Sequence, residues 1–292
     1  MERGAGWWCA GARWEASGRV GLRWVGERVS GLGAGERVGF RVLGERRCLG
    51  VWRGGRWREC GRGAVLREGG ARAQCEECAA LDRVRSVAAD TYADDPRPYR
   101  VYLAWFGPGL VKVGITGVAR EGVRLLEQGA LAYCWLGQGP LMAARRAEEV
   151  VRHGLGVPDR IPYARKRAAR AGGGDCRAEL ERVHGAARKL PGWPETLEPL
   201  PDEVVEHGAV FGLPLPYGGL VRGLRDGAVL VGTVRGVAGP DVHLDVAGEP
   251  ATVVLDTRRL AGWCLAGVGE DAVTTAGLVE RVGEGGEQGE LF

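Results

Sequence analysis

A chain of 292 residues, 45% apolar and 26% charged, has material for two or three cores of ordinary size and the composition of a globular protein. No apolar run reaches the roughly 18 residues of a membrane helix. The N-terminal MERGAGWWCAGARW lacks a signal peptide's long apolar stretch and cleavage site, so neither a membrane nor an exported protein is expected, and a reducing cytoplasm is.

The net charge is +3, yet residues 201–292 hold fourteen acidic residues and six arginines, a net of −8, so residues 1–200 carry +11. A basic front portion of this kind either meets phosphates or is a solvated arginine-rich surface. Lysine occurs only at 112, 166 and 189, and asparagine is absent, a bias that itself explains part of the arginine excess.

In chain order, residues 18–27 and 36–43 alternate apolar and polar with period two and predict strands around a Gly-rich turn. The stretch 48–78 is loop-rich, and nine arginines face three glutamates over 41–72. Residues 79–98 begin with helical spacing and stop at Asp94-Asp95-Pro96. Residues 100–106 and 110–115 predict a hairpin through Gly107-Pro108-Gly109. A short helix over 119–127, a third strand over 131–136 and a strong helix over 141–153, ended by Gly154, follow. Residues 163–177 are basic and then flexible, and 176–190 predict another helix. The four prolines of 190–203 read as a connection, and 208–264 as a small antiparallel sheet or barrel. The expected architecture is α+β. It comprises an N-terminal β region with a cysteine clip (1–80), a core built on a central three-stranded antiparallel sheet with flanking helices (81–195), a small β-rich domain (205–266) and an acidic flexible tail (267–292).

Cys75-Glu76-Glu77-Cys78 is a CxxC knuckle able to grip one tetrahedral Zn²⁺. Cys48 and Cys60, eleven residues apart in between, supply two further ligands. Four thiolates close a zinc site and make it structural, and bound metal supplies folding energy that a segment poor in large aliphatics lacks. Buried thiols acting as small hydrophobes and a redox pair are the alternatives, the latter disfavoured because no strand leads into a helix at this CxxC.

Residues 100–153 carry a second constellation. Tyr102 lies on the first hairpin strand and Lys112 on the second. Arg120 and Arg124 are four apart, with Gln128 next on the same face, and Glu149 and His153 are i, i+4 on the later helix. These groups suit phosphodiester chemistry. Arginine stabilises phosphoryl charge, a carboxylate holds Mg²⁺ or Mn²⁺, and Tyr or Lys orients or deprotonates water. The bland alternatives are a packed Tyr102, a solvent-facing Lys112, arginines paired with Glu121, Glu127 or Glu149, and a Glu149 paired with Arg145 or His153. Arg165, Lys166 and Arg167 form a basic run that could track a phosphate backbone or be a solvated helix face.

The order Arg100-Val101-Tyr102, Lys112-Val113-Gly114, a helical arginine and Glu149 resembles the GIY-YIG nuclease superfamily, with Lys112 in place of the second tyrosine. That resemblance implies a GIY-YIG-like core with Tyr102, Lys112, Arg120, Arg124 and Glu149 as catalytic residues and Glu149 as metal ligand. The string VYLAWFG, LVKVGIT, R-x3-R and EQGA after a cysteine-rich stretch, with GTVRGVAGPDVHLD and TRRLAGW further on, resembles a bacterial domain family of unknown function, number 2797 in that series, over roughly 40–265. It implies a zinc clip beside that core and assigns no reaction. The expected function is therefore a nucleic-acid-binding protein with metal-dependent endonuclease activity. A non-catalytic module binding nucleic acid or a protein partner, and an enzyme acting on a small anionic metabolite, are the alternatives.

Overall fold

The alternating segments do form strands, but their partners come from the far end of the chain. The computed structural model describes residues 6–53, 56–83 and 95–280. It opens with β1 (Trp7–Trp14), β2 (Val20–Trp24), β3 (Val29–Gly31), β4 (Arg37–Leu43), the hairpin β5 (Val51–Arg53) and β6 (Arg56–Arg58), and α1 (Glu76–Arg83). The middle holds β7 (Tyr99–Trp105), β8 (Val111–Gly117), α2 (Val123–Gln128), β9 (Ala132–Gly139), α3 (Leu141–Leu155), α4 (Tyr163–Ala169) and α5 (Cys176–Ala187). There follow β10 (Glu198–Pro199), β11 (Val205–Glu206), α6 (Gly208–Phe211), β12 (Gly219–Gly223), β13 (Val229–Ala238), β14 (Asp241–Asp245), β15 (Val253–Asp256), α7 (Thr257–Leu260), β16 (Cys264–Gly267) and β17 (Gly277–Glu280).

Ten strands make one mixed sheet in the order β17-β12-β15-β14-β13-β4-β16-β1-β2-β3. This overturns the expected α+β architecture centred on a three-stranded sheet: the protein is mostly β, and its largest element joins the two ends of the chain. The cause is the pairing of β4. It lies antiparallel to β13 on one side and to β16 on the other. Its inward residues Val38, Phe40 and Val42 share one core with Leu230, Val234 and Leu265. Full burial of each such side chain contributes about 1.5–3 kcal/mol, so the strands of the two ends complete one apolar layer instead of two small ones.

The hairpin β7–β8 runs in register from Tyr99↔Gly117 to Trp105↔Val111, and β9 lies on the other side of β7. The sheet has five strands, because β10 and β11 both add to β9. The proline-rich connection is thus docked, with Leu197 fully buried. Strand alternation sorts β7 between two faces. Val101, Leu103 and Trp105 pack with Leu141, Ala144, Ala147 and Val151 of α3 and Leu180 of α5. Tyr102, Ala104 and Phe106 pack with Leu125 of α2 and Tyr133.

Several boundaries differ from the sequence reading. β1 was unforeseen, and its register shifts between Cys9 and Ala12 around Gly11. α3 runs on to Leu155 and stops at the left-handed Gly156 rather than at Gly154. Within the stretch expected as an acidic tail, 277–280 pair with β12, and residues from 281 lie outside the described ones. The helix expected from 79 is seen as α1, and 84–94 also lie outside. No helix among the described residues is long and apolar enough to cross a membrane.

Candidate functional site

The four cysteines of the clip converge. Cys48 follows β4, Cys60 follows β6, and Cys75 and Cys78 sit at the start of α1. Their Sγ atoms all lie within 4.8 Å of one another, and Cys60 and Cys75 are 3.9 Å apart. A tetrahedral zinc with bonds near 2.3 Å places its sulfurs about 3.8 Å apart, so the donor set fits a metal ion such as zinc after small adjustments. Cys48 Sγ accepts backbone N–H bonds from Cys75 at 3.2 Å and Gly50 at 3.4 Å. Backbone N–H groups of Ala64 and Arg62 draw the Cys60 thiol down to about 6, whereas burial pushes Cys48 and Cys78 up. The clip has few large aliphatics of its own, chiefly Val51 and Leu66. Gly50 lets the chain close: its φ is +78°, and a Cβ there would meet Arg58 O at 2.0 Å.

Tyr102 and Lys112 are brought together, and both are buried. Lys112 Nζ donates to Val113 O at 2.9 Å and to Tyr102 Oη at 3.4 Å. The glycine of Lys112-Val113-Gly114 makes this approach feasible, since a Cβ at Gly114 would sit 2.3 Å from Tyr102 Oη. Gln128 Nε2 donates to the same Tyr102 Oη at 2.9 Å. Gln128 Oε1 accepts from Lys166 Nζ at 3.1 Å, and Lys166 Nζ lies 4.1 Å from the centre of the Phe106 ring. Lys112, Tyr102, Gln128 and Lys166 therefore form one buried chain of polar groups.

That chain surfaces in a cleft of about 420 Å³ where β1, α2, α4 and α7 meet. Three cations, Arg124, Lys166 and Arg258, and one carboxylate, Glu127, line it beside Trp14, Gln128 and Tyr163. Lys166 is only 5% exposed and has no carboxylate within ion-pair distance among the described residues. Burial lowers its ammonium to about 7, reinforced by the cations Lys112, Arg124, Arg170 and Arg258.

The remaining expected site residues are placed apart. Arg120 is held by both oxygens of Glu127 at 2.6 and 2.7 Å, with Arg124 3.5 Å from the same carboxylate. Glu149 is exposed on α3 and lies 3.9 Å from His153 Nε2. α3 packs the sheet face opposite Tyr102, so Glu149 does not join Tyr102 and Lys112. Its neighbour Glu148 is the inward one, raised by burial and countered by Lys112. In the basic run, Arg165 is exposed while Lys166 and Arg167 are buried. Arg167 donates through Nε to Asp241 at 2.9 Å and through Nη2 to Asp256 at 3.1 Å, and Arg170 also bonds Asp241.

Three residues that line or support the cleft escaped the sequence reading: Arg258, Asp241 and Asp256. Arg258 pairs with Asp256 at 2.6 Å and stands 4.1 Å over the Tyr163 ring. A further buried arginine, Arg46, joins the clip to this wall by donating to the carbonyls of Arg67, Arg72 and Ala261 at 2.8, 3.0 and 2.9 Å. Apart from the Arg258–Asp256 pair, two residues apart, these contacts link segments far apart in sequence, which no local pattern marks. No curated protein and no solved structure matches the chain. The family model described as protein of unknown function (DUF2797) matches residues 35–265, most of the length, and the chain belongs to that family.

Proposed function

We propose that the protein binds a small anionic ligand, bearing phosphate or carboxylate, in the cleft floored by Lys166, and that the four-cysteine clip holds a structural zinc that steadies one wall of this cleft. The observation that carries the reading is the excess of cations over carboxylates in the lining, with a buried Lys166 that no carboxylate neutralises. A buried charge without a partner is costly, and an anion in the cleft removes that cost. About 420 Å³ is within the range of small-molecule sites. Metal-dependent phosphodiester hydrolysis needs a carboxylate free to hold Mg²⁺ or Mn²⁺. The one in this cleft, Glu127, is taken by Arg120 and Arg124, so binding is favoured over endonuclease chemistry.

A second reading, binding of single-stranded nucleic acid, draws on the adjoining groove. This groove is lined by Trp24, Trp52, Trp57, Arg13 and Arg23, surfaces suited to base stacking. Four glutamates also line it, Glu15, Glu27, Glu121 and Glu127, which leaves it without the positive field a polyanion requires. Calorimetric titration with pyrophosphate and with oligonucleotides separates the readings. Saturable pyrophosphate binding weakened about tenfold by Arg124→Ala supports the cleft. Oligonucleotide binding with a steep salt dependence, and none of pyrophosphate, supports the groove.

A further inference from the structure

The polar chain ending at Lys166 puts an amine, rather than only a charge, at the floor of the cleft. We infer that Lys166 is a nucleophile that forms an imine with an anionic aldehyde or ketone held by Arg124 and Arg258; this rests on the anion-binding reading of the cleft. Lysine becomes a useful nucleophile when other cations and poor solvation favour its neutral form. Lys166 meets both conditions by geometry. It is 5% exposed, its Nζ lies against the Phe106 ring, and Glu127, Asp256 and Asp241 pair with Arg124, Arg258 and Arg170 while no carboxylate among the described residues pairs with Lys166 itself. Among the described residues its ammonium donates one hydrogen bond, to Gln128 Oε1, an acceptor that aims the N–H inward. Burial and the neighbours Lys112, Arg124, Arg170 and Arg258 together bring it to about 7, so neutral amine is available near neutral pH. Arg124 and Arg258 line the same cleft as Lys166 and can hold the carboxylate or phosphate of a bound carbonyl compound beside the amine.

The step balances without an oxidant. The amine lone pair adds to the carbonyl carbon and a proton moves from nitrogen to oxygen, giving a carbinolamine. Loss of one water then leaves a C=N bond to Nζ, protonated as an iminium. The proton lost with the water comes from solvent and is restored on hydrolysis.

The chain has lysines only at 112, 166 and 189, which makes the test sharp. The full, zinc-loaded protein is incubated at pH 7 with glyoxylate or, separately, with propanal, and the imine is reduced with cyanoborohydride. Modified lysines are then located by peptide mass. Glyoxylate should label Lys166 at least about tenfold faster than the exposed Lys189. Propanal should show no such preference, and inorganic phosphate should protect Lys166. Lys166→Arg should abolish the fast glyoxylate label and leave only the slow reaction at the other lysines. Equal labelling of Lys166 and Lys189 alongside intact phosphate binding overturns the nucleophile and leaves the anion site standing. Selective labelling by propanal and glyoxylate alike, unaffected by phosphate, overturns the anionic substrate class and the anion site with it.

Discussion

Replacing Asp241 by Asn should unlatch α4 from the large sheet. Asp241 is fully buried, and its carboxylate accepts Arg167 Nε at 2.9 Å, Arg167 Nη2 at 2.5 Å and the Arg170 guanidinium. Both arginine side chains are under a tenth exposed. Removing the charge leaves two interior guanidinia with Asp256 as the nearest carboxylate, and Arg258 already occupies Asp256 at 2.6 Å. Breaking a buried pair from one side costs about 3–5 kcal/mol. For 292 residues the unfolding entropy is about 0.6 kcal/mol per kelvin, so the melting temperature should fall by about 5–8 °C. The surface pair Arg235–Asp245 is the control. With side chains 65% and 41% exposed, it should lose under about 1 kcal/mol in Asp245→Asn. Scanning calorimetry and urea titration of both variants give the comparison. Pyrophosphate binding should weaken in Asp241→Asn as well, because Lys166 adjoins Arg167 on α4. If Asp241→Asn melts within about 2 °C of the wild type, the buried network does not hold α4 and the reasoning fails.

Elemental analysis of purified protein should find one zinc per chain, and Cys78→Ser should lose it and lower the melting temperature. Retention of metal would remove Cys78 from the ligand set. Zinc loading should also fall as pH drops, because each thiol must give up its proton to bind. Gly50→Ala should abolish zinc retention, since its Cβ would meet Arg58 O at 2.0 Å, whereas Gly63→Ala, with open space around it, should cost about 1 kcal/mol and keep the metal. Lys166 titrates near 7 folded against 10.5 unperturbed, so between those values the unfolded chain holds the extra proton and raising the pH favours the folded state. Lys166→Met should flatten that part of the stability profile. In the wild type, pyrophosphate affinity should rise as pH falls through about 7, and a profile identical in Lys166→Met would detach Lys166 from the site.

What could be read from the sequence was local. The hairpin around Gly107-Pro108-Gly109, the helix from Leu141 and the cysteine spacing all depend on residues close in the chain, and each is present. The placing of Tyr102 and Lys112 on the two hairpin strands was legible, and the register, Tyr102 opposite Gly114 and Lys112 opposite Ala104, makes them diagonal neighbours on one face. The pairing of β4 with β13 and β16 was not legible, because period-two alternation says which face of a strand is apolar and nothing about which strand lies beside it. Glu149 shows how narrow the margin is on a helix. Neighbouring residues differ by about 100° in direction, and that rotation turns Glu148 inward and leaves Glu149 beside His153 in solvent.

The basic run 165–167 carries the same lesson into function. Read as a strip, Arg165, Lys166 and Arg167 are three equivalent surface charges. On α4 they divide: Arg165 stays in solvent, Arg167 turns to Asp241 and Asp256, and Lys166 reaches Gln128 at the cleft floor. The division depends on carboxylates more than 70 residues away, Asp241 and Asp256, which face each other across the paired strands β14 and β15. The acids satisfy Arg167 and Arg170 and leave Lys166 without one. The packing of α4 on this sheet, which sequence patterns could not specify, is therefore also what leaves this lysine isolated, and it underlies the anion binding proposed for the cleft.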